Sequence, residues 1–327
     1  MVPDAEFTSY YGRPVVKPAP WQADIPGYLF LGGLAGGSSL LAAGADVTGN
    51  AALRRPTRIT ALAAILASLG LLVHDLGRPA RFHHMLRVAK VTSPMSVGTW
   101  ILTAYGPMAG LAAAAEARRL LPAPLARGVP GRLLPGIGRG AGLAAAALGP
   151  AVASYTAVLL ADTATPSWRD ARDELPFVFV GSAAAAAGGL AMITTSPAQA
   201  GPARRLAVTG AAFELTMSSR METSMGLSAE PLHQGRAGRY MTAARILTGA
   251  GALLAAIPPT GRGRLASIAA GASLLAGSAA TRFGIFHAGQ QSARDPRYTV
   301  VPQRERLDRS GRSGDRPSTR TAASGET

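Results

Sequence analysis

Long apolar runs separated by short polar links set the pattern of this chain. Eight stretches are almost free of charge: about 25–45, 58–76, 95–116, 141–161, 175–195, 204–220, 240–257 and 264–287. Each has about the length of helix that crosses a bilayer, roughly 20 residues. The pattern therefore predicts an all-α, polytopic membrane protein with eight transmembrane helices. The sixth run is the least apolar, because Glu214 lies inside it. The runs are rich in Ala and Gly rather than Leu, which also suits buried helices of a soluble protein. Eight such runs joined by short basic links favour the membrane.

The links carry most of the polar chemistry. After the apolar run ending at Val73 come His74, Asp75, Gly77, Arg78 and Pro79. Gly77 suits a helix C-cap, and Pro79 cannot continue the helix. Ser93 followed by Pro94 marks the next start, a hydroxyl N-cap with proline at the first helical position. Between them, Phe82, Met85, Leu86 and Ala89 share one face at helical spacing, while Arg81, His84, Arg87 and Lys90 lie elsewhere. That predicts a short helix lying in the membrane interface. Trp21 and Tyr28 are interface anchors at the first helix. Gly32, Gly33, Gly36 and Gly37 form two overlaid GxxxG patterns, which let helix backbones approach closely. No strand precedes them, so a phosphate-binding loop is the weaker reading. Residues 117–140 read as a basic loop with Arg118, Arg119, Arg127, Arg132 and Arg139. The tail from Ser292 is polar and Arg-rich, with disorder expected beyond about Arg304. Residues 1–20 lack a signal-peptide pattern, because the apolar run begins later and continues as a full span.

Composition narrows the function. Only 16% of the 327 residues are charged, against about 25% in soluble domains. There is no cysteine, which removes thiol chemistry and cysteine-held iron–sulfur clusters from this chain. The net charge of +15 fits Arg-rich links meeting anionic lipid. No stacking aromatics accompany the basic runs, so nucleic acid is not expected as a partner. Eight spans put both termini on one side, called the N side here. Links on the opposite side are shorter and nearly acid-free, so the positive-inside rule turns the N side outward, although the Arg-rich tail argues the other way.

Three residue types converge near the N side. His74 lies about one turn from its end of the second helix, Tyr155 about 10 Å from the same face, and Asp24 opens the first helix. An imidazole, a phenol and a carboxylate at one shallow depth suit a quinone. Its carbonyl oxygens need hydrogen bonds, and its protons need a titrating group. The plainer reading makes His74 a helix-end histidine and Tyr155 an interface tyrosine. Glu214 and Arg245 are intramembrane charges that either pair structurally or serve a proton path. A bis-histidine haem between His74 and His287 is the weaker reading, because no second histidine pair exists. The reading is no metal and no haem in this chain.

Several segments resemble the NrfD/PsrC family, the membrane subunits of polysulfide-reductase-like and formate-dehydrogenase-like complexes. They are Ile25–Gly33, His74-Asp75-Leu76-Gly77-Arg78-Pro79, Ser93-Pro94-Met95-Ser96, Tyr155-Thr156 with Leu159-Leu160, and Ser292–Thr299. The resemblance implies two four-helix bundles, with a quinone site in the first, at about 25–161. The second bundle then covers about 162–291, flanked by the polar segment 1–24 and the tail 292–327. It also implies a ferredoxin-like iron–sulfur partner on the site face and a molybdopterin-type catalytic subunit beyond it. Tyr155 matches the family's quinone-contacting tyrosine, and the Asp24 region its polar entrance to the first helix. The chain departs from the pattern in lacking a histidine one to two turns beyond Asp24. The expected quinone-binding set is Tyr155, His74, Asp24, Asp75 and Arg78, the arginine supplying positive charge beside reduced quinone. The expected function is a quinone-reactive subunit in the plasma membrane. It passes electrons between the iron–sulfur partner and menaquinone or another quinone, and is not catalytic alone. The alternatives are a proton or small-solute transporter and a passive anchor of the complex.

Overall fold

The computed structural model describes residues 14–117, 128–257 and 263–313. Among them are eight helices of 20 to 33 residues: α1 Asp24–Val47, α2 Ala51–Asp75, α3 Pro94–Glu116, α4 Val129–Ala161, α6 Leu175–Thr194, α7 Gly201–Ser224, α8 Gly235–Ala256 and α9 Gly263–Arg294. A short helix, α5 Pro166–Asp170, sits between α4 and α6, and α10 Arg297–Ser313 follows α9. No strand occurs among the described residues. Among the described residues five helices are long and apolar enough to cross a membrane: α1, α2, α4 from Gly131, α6 and α9. Helices α3, α7 and α8 have the length but not that composition. In α7 and α8 the reason is visible in Arg204, Arg205, Glu214, Glu222, Arg236, Arg239 and Arg245.

Local chemistry explains the boundaries. Ser93 caps α3, its Oγ accepting from Ser96 N, with Pro94 at the first position as the sequence predicts. Asn50 caps α2 through Leu53 N at 3.1 Å, after Gly49 turns the chain at φ 71°. Helix α2 ends at Asp75, with Leu76 extended, so Gly77 follows the cap without adopting a left-handed conformation. The segment Pro79–Leu86 is a 3-10 helix. Its Phe82, Met85 and Leu86 cover an apolar hollow against α2 and α3, while Arg81, His83 and His84 are exposed.

Three expectations change. Helix α2 begins at Ala51 rather than near 58, because Arg54, Arg55 and Arg58 are taken up by ion pairs and do not end the helix. Much of the expected 117–140 loop is helical, with α4 starting at Val129 and Pro130 in its first turn. Proline there is preorganised for a helix start. Arg118, Arg119 and Arg127 lie outside the described residues. The tail continues as α10 through Ser313, nucleated by the Asp295 carboxylate accepting from Arg297 N at 2.9 Å. It is tethered by buried Tyr298 and by the Arg297–Glu230 ion pair.

Helix α1 packs on α2, α4 and α6, and α4 also packs on α3. Helix α6 packs on α7 and α9, and α8 on α9 and α7. The glycine pattern of α1 makes its crossings possible. A Cβ on Gly36 would lie 3.1 Å from the carbonyl carbon of Gly149 on α4. One on Gly37 would lie 2.8 Å from the Ala183 carbonyl oxygen on α6. Backbones this close gain dispersion that larger residues would forbid.

The two ends of the bundle differ. At one end the N-terminal segment, α5, the 226–233 link and the end of α9 are tied together. Gln290 Nε2 donates to Ala19 O, Ser167 Oγ to Ser228 O, and Ser167 N to Ser292 Oγ. At the other end, Arg58 is buried between Glu116 Oε1 at 2.9 Å and Asp46 Oδ2 at 3.3 Å. Arg54 bridges the same two acids at 2.8 Å each. One buried cation thus clamps α1, α2 and α3. Gly142 of α4 leaves the room it needs, since a Cβ there would lie 2.9 Å from Arg58 Nη2.

Candidate functional site

A cleft of about 540 Å³ opens between α3 and α4 at the N-side end. Pro94, Val97 and Ile101 form one wall, and Ala151, Tyr155 and Val158 the other. Asp162, at the C-terminus of α4, and Arg172, after α5, bring opposite charges to it. Gly98 of α3 faces the Tyr155 ring: a Cβ there would lie 2.7 Å from its Cδ2. The ring therefore occupies space that only glycine leaves free.

Tyr155 turns its hydroxyl inward onto the hydroxyl of Tyr28 on α1. Tyr28 is only 2% exposed, and this is its side chain's only hydrogen bond among the described residues. A tyrosine hydroxyl both donates and accepts, so one member of such a pair keeps a free hydrogen or lone pair for a ligand. Deeper in the same bundle, Ser39 and Tyr105 share a second buried hydroxyl pair at 2.7 Å.

The other expected site residues form a separate cluster. His74 Nδ1 lies 3.1 Å from Asp24 Oδ2, joining the end of α2 to the start of α1. Asp75 accepts from Gln22 N at 3.4 Å. Arg78 is exposed and heads the 3-10 segment. None of these four lines the cleft. Asp24 and Tyr28 are one turn apart on α1, about 6 Å along its axis. The surface pair His74–Asp24 and the buried pair Tyr28–Tyr155 therefore stack along one helix.

Glu214 and Arg245 do not pair. Arg245 is exposed and bonds Glu222 instead, so the two expected partners leave their helices on different faces. Glu214 is buried, and its Oε1 accepts from Thr281 Oγ1 at 2.7 Å. The opposite charge acting on it is Arg282, fully buried on α9. Arg282 Nη2 donates to the Phe179 carbonyl at 2.9 Å, and its guanidinium lies 3.9 Å from the Phe179 ring centre. Among the described residues no group of three or more His, Asp or Glu is placed to hold a metal. His287, the other candidate haem ligand, stacks on Tyr240.

The family model for polysulphide reductase NrfD matches residues 15–214, more than half of the chain. The chain belongs to the NrfD family. The match covers α1 to α6 and most of α7, and so includes the cleft, both tyrosines, the His74–Asp24 pair and Glu214. A search of curated proteins gives no match. Apolar helices and family membership together make this NrfD protein an integral membrane protein.

Sequence reasoning singled out Tyr155 but not the three residues that the structure places around it or the cleft. Tyr28 appears in the sequence as an interface anchor, Arg172 as one of many link arginines, and Gly98 as one of 39 glycines. None of the three carries a local signal, since Arg172 shares its acidic link with Arg169.

Proposed function

We propose that this NrfD protein is the quinone-reactive membrane subunit of an oxidoreductase complex, exchanging electrons between a partner's iron–sulfur cluster and menaquinone or a related quinone. The observation that carries the reading is the cleft between α3 and α4, apolar along its walls and lined at its inner side by Tyr155 bonded to Tyr28. Its volume of about 540 Å³ lies within the usual range for small-molecule sites. The apolar walls fit a ring and the start of an isoprenoid tail. In this reading α1 to α4 form one four-helix bundle holding the site, and α6 to α9 a second.

A bound quinone supplies reversible two-electron, two-proton chemistry. The protein's part is to bind, orient and move protons. Tyr155, with Tyr28 as its hydrogen-bond partner, offers a hydroxyl to a carbonyl oxygen in a site of low dielectric. Arg172, which also pairs with Asp173 at 3.6 Å, attracts developing negative charge toward the mouth of the cleft, and Asp162 of the same lining accepts protons there. The His74–Asp24 pair, one turn above Tyr28, links this column to the N-side surface. Electrons come from the partner, because the chain has no cysteine to hold a cluster. The ferredoxin-like subunit and a molybdopterin-type catalytic subunit dock on the N side, which faces outward from the plasma membrane.

The test is purification with partner subunits, followed by solvent extraction of bound quinone and turnover of the complex with quinone and with a soluble dye. The reading requires co-purified quinone and a Tyr155→Phe complex impaired with quinone alone. A complex free of quinone whose Tyr155→Phe form turns over normally refutes it. A transporter reading rests on buried Glu214 and Arg282. It predicts solute- or proton-driven flux by the chain in vesicles without any partner.

A further inference from the structure

A second cavity, of about 710 Å³, lies where the N-terminal segment crosses the N-side ends of α8 and α9. Its position is fixed. Gln290 holds the Ala19 carbonyl at 2.9 Å, and Trp21 stacks on buried Trp168, which packs on Phe286. The cavity is lined by Arg236, His287 and Arg294, and no acidic residue lines it. His287 and Arg294 are seven residues apart on α9 and so share one face of the helix. Neither Arg236 nor Arg294 joins an ion pair among the described residues. Elsewhere at this end Arg245 pairs with Glu222 and Arg297 with Glu230, whereas Arg169, Arg220 and Arg239 join no ion pair among the described residues and do not line the cavity. Two unmatched guanidiniums facing one cavity repel each other unless an anion joins them, and the His287 ring adds a hydrogen-bonding group between them.

The depth of the cavity limits the source of that anion. Helix α9 has 32 residues. At 1.5 Å per residue it is about 48 Å long, against about 30 Å of hydrocarbon and 40–45 Å including headgroups. A spanning helix of that length reaches the headgroup layer or passes beyond it at its N-side end, and His287 lies about 10 Å deeper along the helix than Arg294. Trp21 and Phe286 add apolar surface beside the cations. This combination of phosphate-binding cations and an apolar wall at or near headgroup depth fits an amphiphile.

We propose that this cavity is a binding site for the phosphodiester headgroup of an anionic phospholipid, held by Arg236 and Arg294 with His287 at its floor. The proposal is independent of the quinone reading. The test uses the purified protein in nanodiscs of phosphatidylcholine doped with phosphatidylglycerol or cardiolipin, with bound lipid read by native mass spectrometry. Wild type should retain the anionic lipid over phosphatidylcholine. Arg236→Gln/Arg294→Gln should lose about 25-fold of that preference, taking roughly a factor of five per basic residue near anionic lipid. Arg236→Lys/Arg294→Lys should keep most of it, and Arg87→Gln, on the exposed 79–91 link, all of it. Millimolar inorganic phosphate should not displace the lipid. Displacement by phosphate would identify a small-anion site and overturn the lipid assignment. Equal retention of anionic lipid by the double glutamine variant, or an equal loss in Arg87→Gln, would overturn the site itself. An acidic peptide that competes better than the lipid would overturn it in favour of a protein partner. If the double glutamine variant does not assemble, Arg294→Gln alone decides, with an expected loss of about fivefold.

Discussion

Removing one hydroxyl of the Tyr28–Tyr155 pair should cost more than removing both. In Tyr155→Phe the ring stays against Gly98, and the volume change is negligible. The cost falls on Tyr28, whose hydroxyl is 2% exposed and has no other partner among the described residues. An unsatisfied buried donor costs about 1–3 kcal/mol, and Tyr28→Phe should cost a similar amount for the symmetric reason. The double variant leaves no orphan, so its cost should fall well below the sum, to roughly 1 kcal/mol or less. Thermal unfolding of the purified complex in detergent measures all three. Turnover separates function from stability. If Tyr155 serves a quinone carbonyl, one lost hydrogen bond of about 0.5–1.5 kcal/mol slows quinone-linked turnover by roughly 2- to 12-fold. That loss should persist in the double variant although its stability recovers, while dye-linked activity stays near wild type. Strictly additive stability costs would refute the pairing. Recovery of quinone turnover in the double variant, or equal loss with quinone and dye, would refute the ligand assignment.

Arg172→Gln should raise the KM for quinone and lower turnover several-fold in steady-state assays. Arg78→Gln should have the smaller effect, because Arg78 lies off the cleft. Glu214→Gln keeps a group that can accept from Thr281 but leaves Arg282 as an uncompensated buried cation. Thermal unfolding should show a loss of about 3–5 kcal/mol, largely restored by adding Arg282→Met. Arg58→Met removes the buried member of the Asp46–Glu116 clamp. Its cost should approach the same about 3–5 kcal/mol, reduced because Arg54 still bridges both acids, and membrane-extracted yield together with unfolding midpoint will show it.

Much of the fold was legible because membrane helices are written in long runs. The Ser93–Pro94 start follows from cap chemistry, and the α1 crossings from its glycine spacing. The Pro79–Leu86 segment follows from a face of Phe82, Met85 and Leu86. The errors came where charge was read as the end of a helix. Arg54, Arg55 and Arg58 lie inside α2 because Asp46 and Glu116 neutralise them, and those acids stand on other helices. A hydropathy reading sees each charge alone and cannot see its compensation.

The same limit explains the site. Tyr28 and Tyr155 are 127 residues apart, and nothing local to either marks the other as its partner. Arg245 and Arg282 both stand inside expected spans, yet one is exposed beside Glu222 and the other fully buried. What separates them is the face each presents, which depends on how α8 and α9 rotate against α6 and α7. That rotation is set by small residues. Gly277 of α9 abuts Thr248 of α8, a Cβ there lying 2.9 Å from the Thr248 nitrogen, and Gly181 of α6 abuts Glu214 of α7, at 2.7 Å from its nitrogen. The Gly181 contact brings α7 onto α6 at the level of Glu214, where Arg282 of α9 reaches the carbonyl of Phe179. A methyl group at Gly181 would push α7 away from α6 and separate Glu214 from the charge that balances it. Gly181→Ala should therefore resemble Glu214→Gln in thermal unfolding while leaving every ionisable group in place. If it is as stable as wild type, close packing at this crossing is not what holds the buried charges together.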